Sequence, residues 1–322
     1  MCRRLLIVVL FCWVGISVLA QADLIQPDRE ETTMISPYYF GPNAFPVPDM
    51  LDGTLQRDLR IELDGNHFFG TRGDHTTDLT LKVNIPLFTE RVNLSAWMPL
   101  AEWYRNSDES LAACGLTEKA LTDPKARRGC VSGDVYISTD VHLFRQRRYL
   151  PDVALRATLR TASGNDYQYA RNYDSPGYFF DATLGKSFAL GALKEHDLRV
   201  ALSAGFLCWQ TNNARQNDAI MYGLLVKWSY KRLMLEQTVR GYSGWEHSST
   251  RNKELAHDRP VVLKTKASYR IKNWEALASY QFGLRDYPFH QAQLGVAYHI
   301  SLKKKETKKD KNTLWKRISR EL

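Results

Sequence analysis

Two runs decide the reading of this chain: Val153-Ala-Leu-Arg-Ala-Thr-Leu-Arg-Thr161 and, after a polar loop, Tyr178-Phe-Phe-Asp-Ala-Thr-Leu-Gly-Lys-Ser-Phe188. In the first, Val153, Leu155, Ala157 and Leu159 share one face, and Arg156, Thr158 and Arg160 share the other. In the second, Tyr178, Phe180, Ala182 and Leu184 oppose Phe179, Asp181, Thr183 and Gly185. Successive side chains of a strand point to opposite faces, so this alternation predicts two β-strands. Gly164-Asn165 and Pro176-Gly177 supply turn chemistry between them.

The same pattern recurs along the chain. Strands are predicted at Asp58–Phe68, Asp78–Phe88, Val92–Arg105, Val131–Phe144, Asp152–Thr161 and Gly177–Ala189. They continue at Asp197–Trp209, Ala219–Trp228, Arg232–Gly244, Arg259–Arg270, Trp274–Leu284 and Gln291–Leu302. Soluble strands average about five or six residues; most of these are longer, near the roughly nine to eleven tilted residues that cross a bilayer. The connections alternate, with short ones such as Ser229–Lys231 and Ile271–Asn273 and longer ones such as Asn106–Cys130 and Gly244–Asp258. One face of the strands is apolar, as in Leu79, Leu81, Val83 and Ile85; the other carries charge throughout. The expected fold is all-β: an antiparallel transmembrane β-barrel of about 12 strands over residues 58–302, with an apolar face to lipid and a charged interior. Aromatics near strand ends, including Tyr104, Phe144, Tyr178, Trp228, Trp274, Tyr280, Phe282 and Tyr298, suit interfacial belts. Pro99 and Pro86 interrupt their strands and predict a bulge or bend.

Outside the barrel the chain has three further parts. Residues 1–20 read as a signal peptide, with Arg3 and Arg4 before an apolar run too short for the roughly 20 residues of a spanning helix. Residues 21–57 are polar and turn-rich but carry Tyr38, Tyr39, Phe40 and Phe45; they read as an extended periplasmic lead-in that packs against or tucks into the body. Residues 303–322 form a basic periplasmic tail. The formal net charge of the 322-residue chain is +9, and most of it belongs to that tail. A nucleic-acid surface needs positive charge spread over the fold, so nucleic acid is not an expected partner. An even strand number with short turns on one side places both termini in the periplasm of a Gram-negative cell. Cys114 and Cys130 flank one polar segment and could close a disulfide in an oxidising compartment. Cys208 reads as a small buried or lipid-facing side chain.

No metal motif, nucleophile elbow or phosphate loop is present, so no cofactor and no metal are expected. A lipid-hydrolase barrel would need a histidine and a serine within hydrogen-bond reach. His142 shares a strand face with Ser138 and Asp140, but positions i and i+4 of one strand lie about 13 Å apart. The inward charges are the better functional candidates: Arg156, Arg160, Arg199, Arg240 and Lys264 among the bases, and Asp140, Asp181 and Glu236 among the acids. Two readings follow. Either they line a pore for small polar, slightly anion-favouring solutes, or they cross a narrow lumen and neutralise one another, sealing a barrel that anchors a complex. In the second case an outer-membrane or periplasmic protein would bind the loops, lead-in or tail.

Gly133-Asp134-Val-Tyr-Ile137, Pro151-Asp-Val-Ala-Leu-Arg-Ala-Thr-Leu-Arg-Thr-Ala-Ser-Gly164 and Asp174-Ser-Pro-Gly-Tyr-Phe-Phe-Asp181 together resemble transporter-type outer-membrane barrels. The group they resemble is the one associated with meta-pathway (phenol and other aromatic) degradation operons, with Asn165 where that group has Asp. The leader and basic tail are similar to Bacteroidota barrels of unknown role. The resemblance implies a place in outer-membrane lipid and passage of a small-molecule solute.

Overall fold

The computed structural model describes residues 40–87, 91–164, 176–190, 195–210, 216–244 and 259–302. The leader, the tail and much of the long connections around 165–175 and 245–258 lie outside the described residues. The strands are β1 (Leu59–Gly70), β2 (His75–Leu87), β3 (Val92–Arg105), β4 (Arg128–Val131), β5 (Tyr136–Phe144), β6 (Asp152–Arg160) and β7 (Gly177–Leu190). The second half gives β8 (His196–Gln210), β9 (Gln216–Tyr230), β10 (Leu233–Gly244), β11 (Val261–Ile271), β12 (Trp274–Arg285) and β13 (Phe289–Ile300). All pair antiparallel with their neighbours, and β1 closes on β13 from Leu59↔Ile300 to Gly70↔Phe289. With β2 also paired to β3, twelve strands form a closed barrel and β4 is a short addition beside β3. Closure leaves the twelve barrel strands without a free edge strand among them, which is what a strand needs where no water can satisfy its backbone.

Alternation sorts the wall as expected. Leu155, Leu159, Leu184, Leu202, Ile220, Leu224, Val226 and Leu294 are exposed on the outer surface. Glu62, Asp64, Asp78, Asp140, Arg156, Arg160, Asp181, Arg199, Arg240 and Lys264 are buried within. No helix is long and apolar enough to cross a membrane among the described residues. The outward apolar surface of the strands takes that part.

Two local departures have a common cause at Pro99. Opposite Leu79 and Thr80 the register passes from Ala101 to Pro99, which leaves Leu100 without a cross-strand partner. This is a β-bulge, and one extra residue exchanges the faces of everything beyond it. Trp97 and Pro99 therefore line the lumen, whereas beyond the bulge it is Glu102 and Tyr104 that turn inward and Trp103 that faces out. Tyr104, expected in an outer belt, is instead buried, and its hydroxyl donates to Lys125 O at 2.8 Å. The strand expected at Val131–Phe144 is broken into β4 and β5. Gly133 lies so close to Pro99 that a Cβ there would come within 2.6 Å of the ring. Asp134 leaves the ladder to accept from Ser163 N at 3.0 Å and Gly164 N at 2.8 Å.

Between β3 and β4 the chain folds a small lobe: α1 (Asp108–Ala113), α2 (Lys119–Thr122) and a 3-10 turn at Pro124–Ala126. Ser107 caps α1 by accepting from Ser110 N at 3.0 Å, and Ser110 returns the bond to the Ser107 backbone. Leu111, Leu116, Ala120 and Ala126 make its core, with Cys114 packed against them. The Cys114–Cys130 bridge is not formed: Cys114 packs against this lobe and Cys130 is exposed on β4. Cys208 is buried, as one of its two readings had it.

Candidate functional site

The interior is occupied by the chain itself. Residues 40–57 run inside the barrel from the end where β1 begins, the short-turn end, to the end where the long connections lie. Prolines 42, 46 and 48 lack N–H groups, so this stretch can leave the sheet ladder with fewer donors to satisfy. A turn holds its tip, with Ala44 N donating to Gly41 O at 3.1 Å. Residues 40–57, the described part of the lead-in, form a plug inside the barrel.

The plug's carbonyls are held by the wall. Arg156 Nη1 donates to Asp49 O at 2.7 Å, Arg199 Nε to Asp52 O at 2.6 Å, and Arg160 Nη1 to Ala44 O. Tyr242 and Tyr287 hydroxyls donate to Phe45 O at 3.2 Å and Pro42 O at 3.1 Å. Burial raises the Tyr287 phenol above its ordinary value although Arg240 works against this, so it remains a donor. The plug's carboxylates meet cations. Asp49 Oδ1 lies 2.7 Å from Arg240 Nη2 and 3.3 Å from Lys264 Nζ, and Asp52 pairs with Lys227. On the opposite side the Asn43 amide donates to Asp78 at 3.0 Å and Glu102 at 2.6 Å.

These contacts follow a division of charge across the lumen. Strands β6 to β11 contribute Arg156, Arg160, Arg199, Lys227, Arg240 and Lys264. Strands β1 to β5, with the Asp134 link, contribute Glu62, Asp64, Asp78, Glu102, Asp134 and Asp140. Most exceptions are paired: Lys82 with Asp64 at 2.8 Å and Glu62 at 3.4 Å, Arg60 with Glu62, and Asp181 with Arg156 at 2.6 Å. The plug presents acceptors to the basic side and a donor to the acidic side.

At the long-loop end the seal is apolar. Phe40, Ala44, Phe45 and Val47 of the plug pack with Phe68, Phe179, Trp209, Met221, Tyr242, Tyr287 and Phe289 of the wall. Phe40 and Phe45 meet edge to face at 5.5 Å, and Arg160 lies over the Trp209 ring at 5.4 Å. Below the seal, beside the plug, a cavity of about 380 Å³ is lined by Glu62, Asp78, Lys82, Trp97, Arg156, Arg240 and Lys264 among others. A second, of about 650 Å³, opens toward the short-turn end between Asp52, Gln56, Lys227, Glu236 and Glu275. Both are lined by Leu51, Arg60, Asn84, Asp140 and Lys266, so they adjoin.

The sequence candidates thus fall into three groups. Arg156 pairs within the wall with Asp181, and Arg160 pairs with Asp134 at 2.5 Å. Arg199 pairs with Asp152 at 2.9 Å, and the same carboxylate takes His142 at 3.0 Å. Arg240 and Lys264 pair with the plug rather than with wall acids. Asp140 takes the Ser138 hydroxyl at 3.1 Å, and Glu236 lies in register with Lys227 and Lys266 without a close ion pair. Asn43, Asp49 and Asp52 were not singled out from the sequence. The available signal was an acidic, proline-punctuated stretch with buried-type aromatics next to a barrel of net basic lining. Among the described residues no histidine is hydrogen-bonded to a serine, and no cluster of side chains suits a metal ion.

No family model and no curated protein matches the chain. Solved structures do. An outer-membrane channel from Pseudomonas putida F1 is 11% identical, with a TM-score of 0.52, over 79% of this chain and all of that one (100%). LpxR from Salmonella typhimurium is 10% identical over 74% of this chain and 99% of its own, with a TM-score of 0.45. The KdgM porin is 11% identical over 74% and 98%, at 0.43. At such identities the likeness shows the fold alone: a closed antiparallel barrel of the outer-membrane type.

Proposed function

We propose that this chain is an outer-membrane channel for small polar solutes, gated by its own residues 40–57. The carrying observation is the pair of adjoining cavities beside the plug, both with charged side chains in their lining, which reach from the short-turn end to the aromatic seal. A barrel built only as an anchor has no need of charged, open space leading from one end to a seal near the other. Pores of this class have short turns in the periplasm and long loops outside. On that orientation the vestibule opens to the periplasm, and the seal of Phe40 and Phe45 stands on the outer side. The residues 133–181 that resemble transporter-type barrels of aromatic-degradation operons agree with a transport role.

The plug's contacts are individually modest. Charge-assisted hydrogen bonds contribute about 1.5–3 kcal/mol each at best, so a plug held by a handful of them and one aromatic cluster is displaceable while the wall ladder stays intact. The sealed-barrel reading has one observation of its own, the closed aromatic end. Planar-bilayer recording of the full chain separates the two. The channel reading expects brief openings that become long-lived when residues 40–57 are pulled out by mutation of their seat. Silent insertions from a correctly heat-modifiable barrel, in native and seat-mutated chains alike, would leave the sealed barrel standing.

A further inference from the structure

We infer that the basic side of the lumen is a binding site for small solutes bearing two carboxylates, and that Asp49 and Asp52 occupy it in cis. The inference rests on the channel reading for its biological meaning, but its chemistry stands on the seat itself. Arg156, Arg160 and Arg199 each have a wall carboxylate of their own. Arg240 and Lys264 do not: among the described residues their one ion-pair partner is Asp49. The Arg240 side chain is 5% exposed and that of Lys264 10%, while Asp49 is 56% exposed. Two buried cations are thus neutralised by a half-exposed group on a detachable segment.

Taking a partner from a buried charge is costly, so when the plug leaves, the seat demands another anion. Its geometry is already fixed. Gln281 Oε1 accepts from Arg240 Nη2 at 2.8 Å and Thr238 Oγ1 from Nη1 at 3.2 Å, leaving Nε buried without a hydrogen-bond partner. Toward the short-turn end the row continues with Lys266, which lines both cavities, and Lys227, which holds Asp52. The plug bridges these two seats with carboxylates three residues apart in sequence. A free dicarboxylate can place one carboxylate at Arg240 and Lys264 and the other at Lys266, which shares a face of β11 with Lys264 two residues along, about 7 Å away, whereas a monocarboxylate fills one seat and a neutral solute neither. Solute and plug then compete, and binding of the solute favours the open channel because it binds only the state in which the plug is out.

The test uses the full chain, folded in detergent, with succinate as probe and acetate for comparison, read by titration calorimetry. The chain carrying both Asp49→Asn and Asp52→Asn should bind succinate at least tenfold more tightly than the native chain, and at least tenfold more tightly than acetate. Adding Arg240→Gln and Lys264→Gln should abolish that gain, with heat-modifiable migration showing that the barrel still forms. Succinate binding unchanged by the two Asp substitutions, or retained after the seat cations are removed, overturns the inference. Bilayer recording keeps the two readings apart. Succinate binding with no conductance in any variant sinks the channel and spares the site; conductance with no succinate binding does the reverse.

Discussion

Truncating Phe45 to alanine should loosen the plug without unfolding the barrel. Phe45 is fully buried in the seal, packs on Phe40, and its own backbone carbonyl takes the Tyr242 hydroxyl. Buried Phe→Ala changes cost about 3–5 kcal/mol. The site adjoins a cavity lined by Pro46 and Val47, so water or neighbours can partly fill the gap, and the low end, about 3 kcal/mol, applies. Every partner of the lost ring in the seal other than Phe40 belongs to the wall or to plug residues seated on it. The loss therefore falls on docking of the plug. Since about 1.4 kcal/mol is a factor of ten in an equilibrium, the ratio of undocked to docked plug should rise about a hundredfold. Single-channel recording of the full chain reads this directly as open probability, with heat-modifiable migration confirming that the barrel is intact. An unchanged open probability in an intact barrel would refute the assignment of the aromatic cluster as the seal.

Arg160→Gln tests the wall rather than the gate. It leaves Asp134 buried without its cation while also releasing Ala44 O and the Trp209 ring, and losing one partner of a buried pair costs about 3–5 kcal/mol. The urea midpoint for loss of heat-modifiable migration should fall clearly, and it should recover in part when Asp134→Asn is added, because the orphaned charge is then gone. Orientation is read by cysteine labelling. Cys130 is exposed at the long-loop end and Cys208 is buried, so a membrane-impermeant maleimide added to intact cells should modify Cys130 and spare Cys208. Labelling of Cys130 only after the outer membrane is permeabilised would reverse the proposed topology.

Much of the wall was legible because a strand writes its two environments into alternate residues. The runs at Asp152–Thr161 and Gly177–Ala189 match β6 and β7 to within a residue, and the alternation across them sets lipid against lumen. Legibility failed where a local event reset the period. After Leu100 bulges, the period-two pattern continues with its faces exchanged, and nothing in the spelling of 92–105 marks the change except Pro99. It failed again at Gly133-Asp134, where a close approach to Pro99 and a carboxylate reaching Ser163 and Gly164 outweigh β propensity.

By itself, then, the sequence determined the barrel: an alternating pattern long enough to cross a bilayer, repeated an even number of times, has closure as the way to satisfy every backbone group in lipid. It also determined that the interior would be charged. Which charges answer which was decided only by the tertiary structure. Arg156 meets the plug 107 residues away in sequence, and Lys264 meets Asp49 across 215. Alternation records which face a side chain takes, a property of its own strand. A partner delivered by a segment threading the lumen depends on where that segment comes to rest, and that is fixed only once the wall has closed around it.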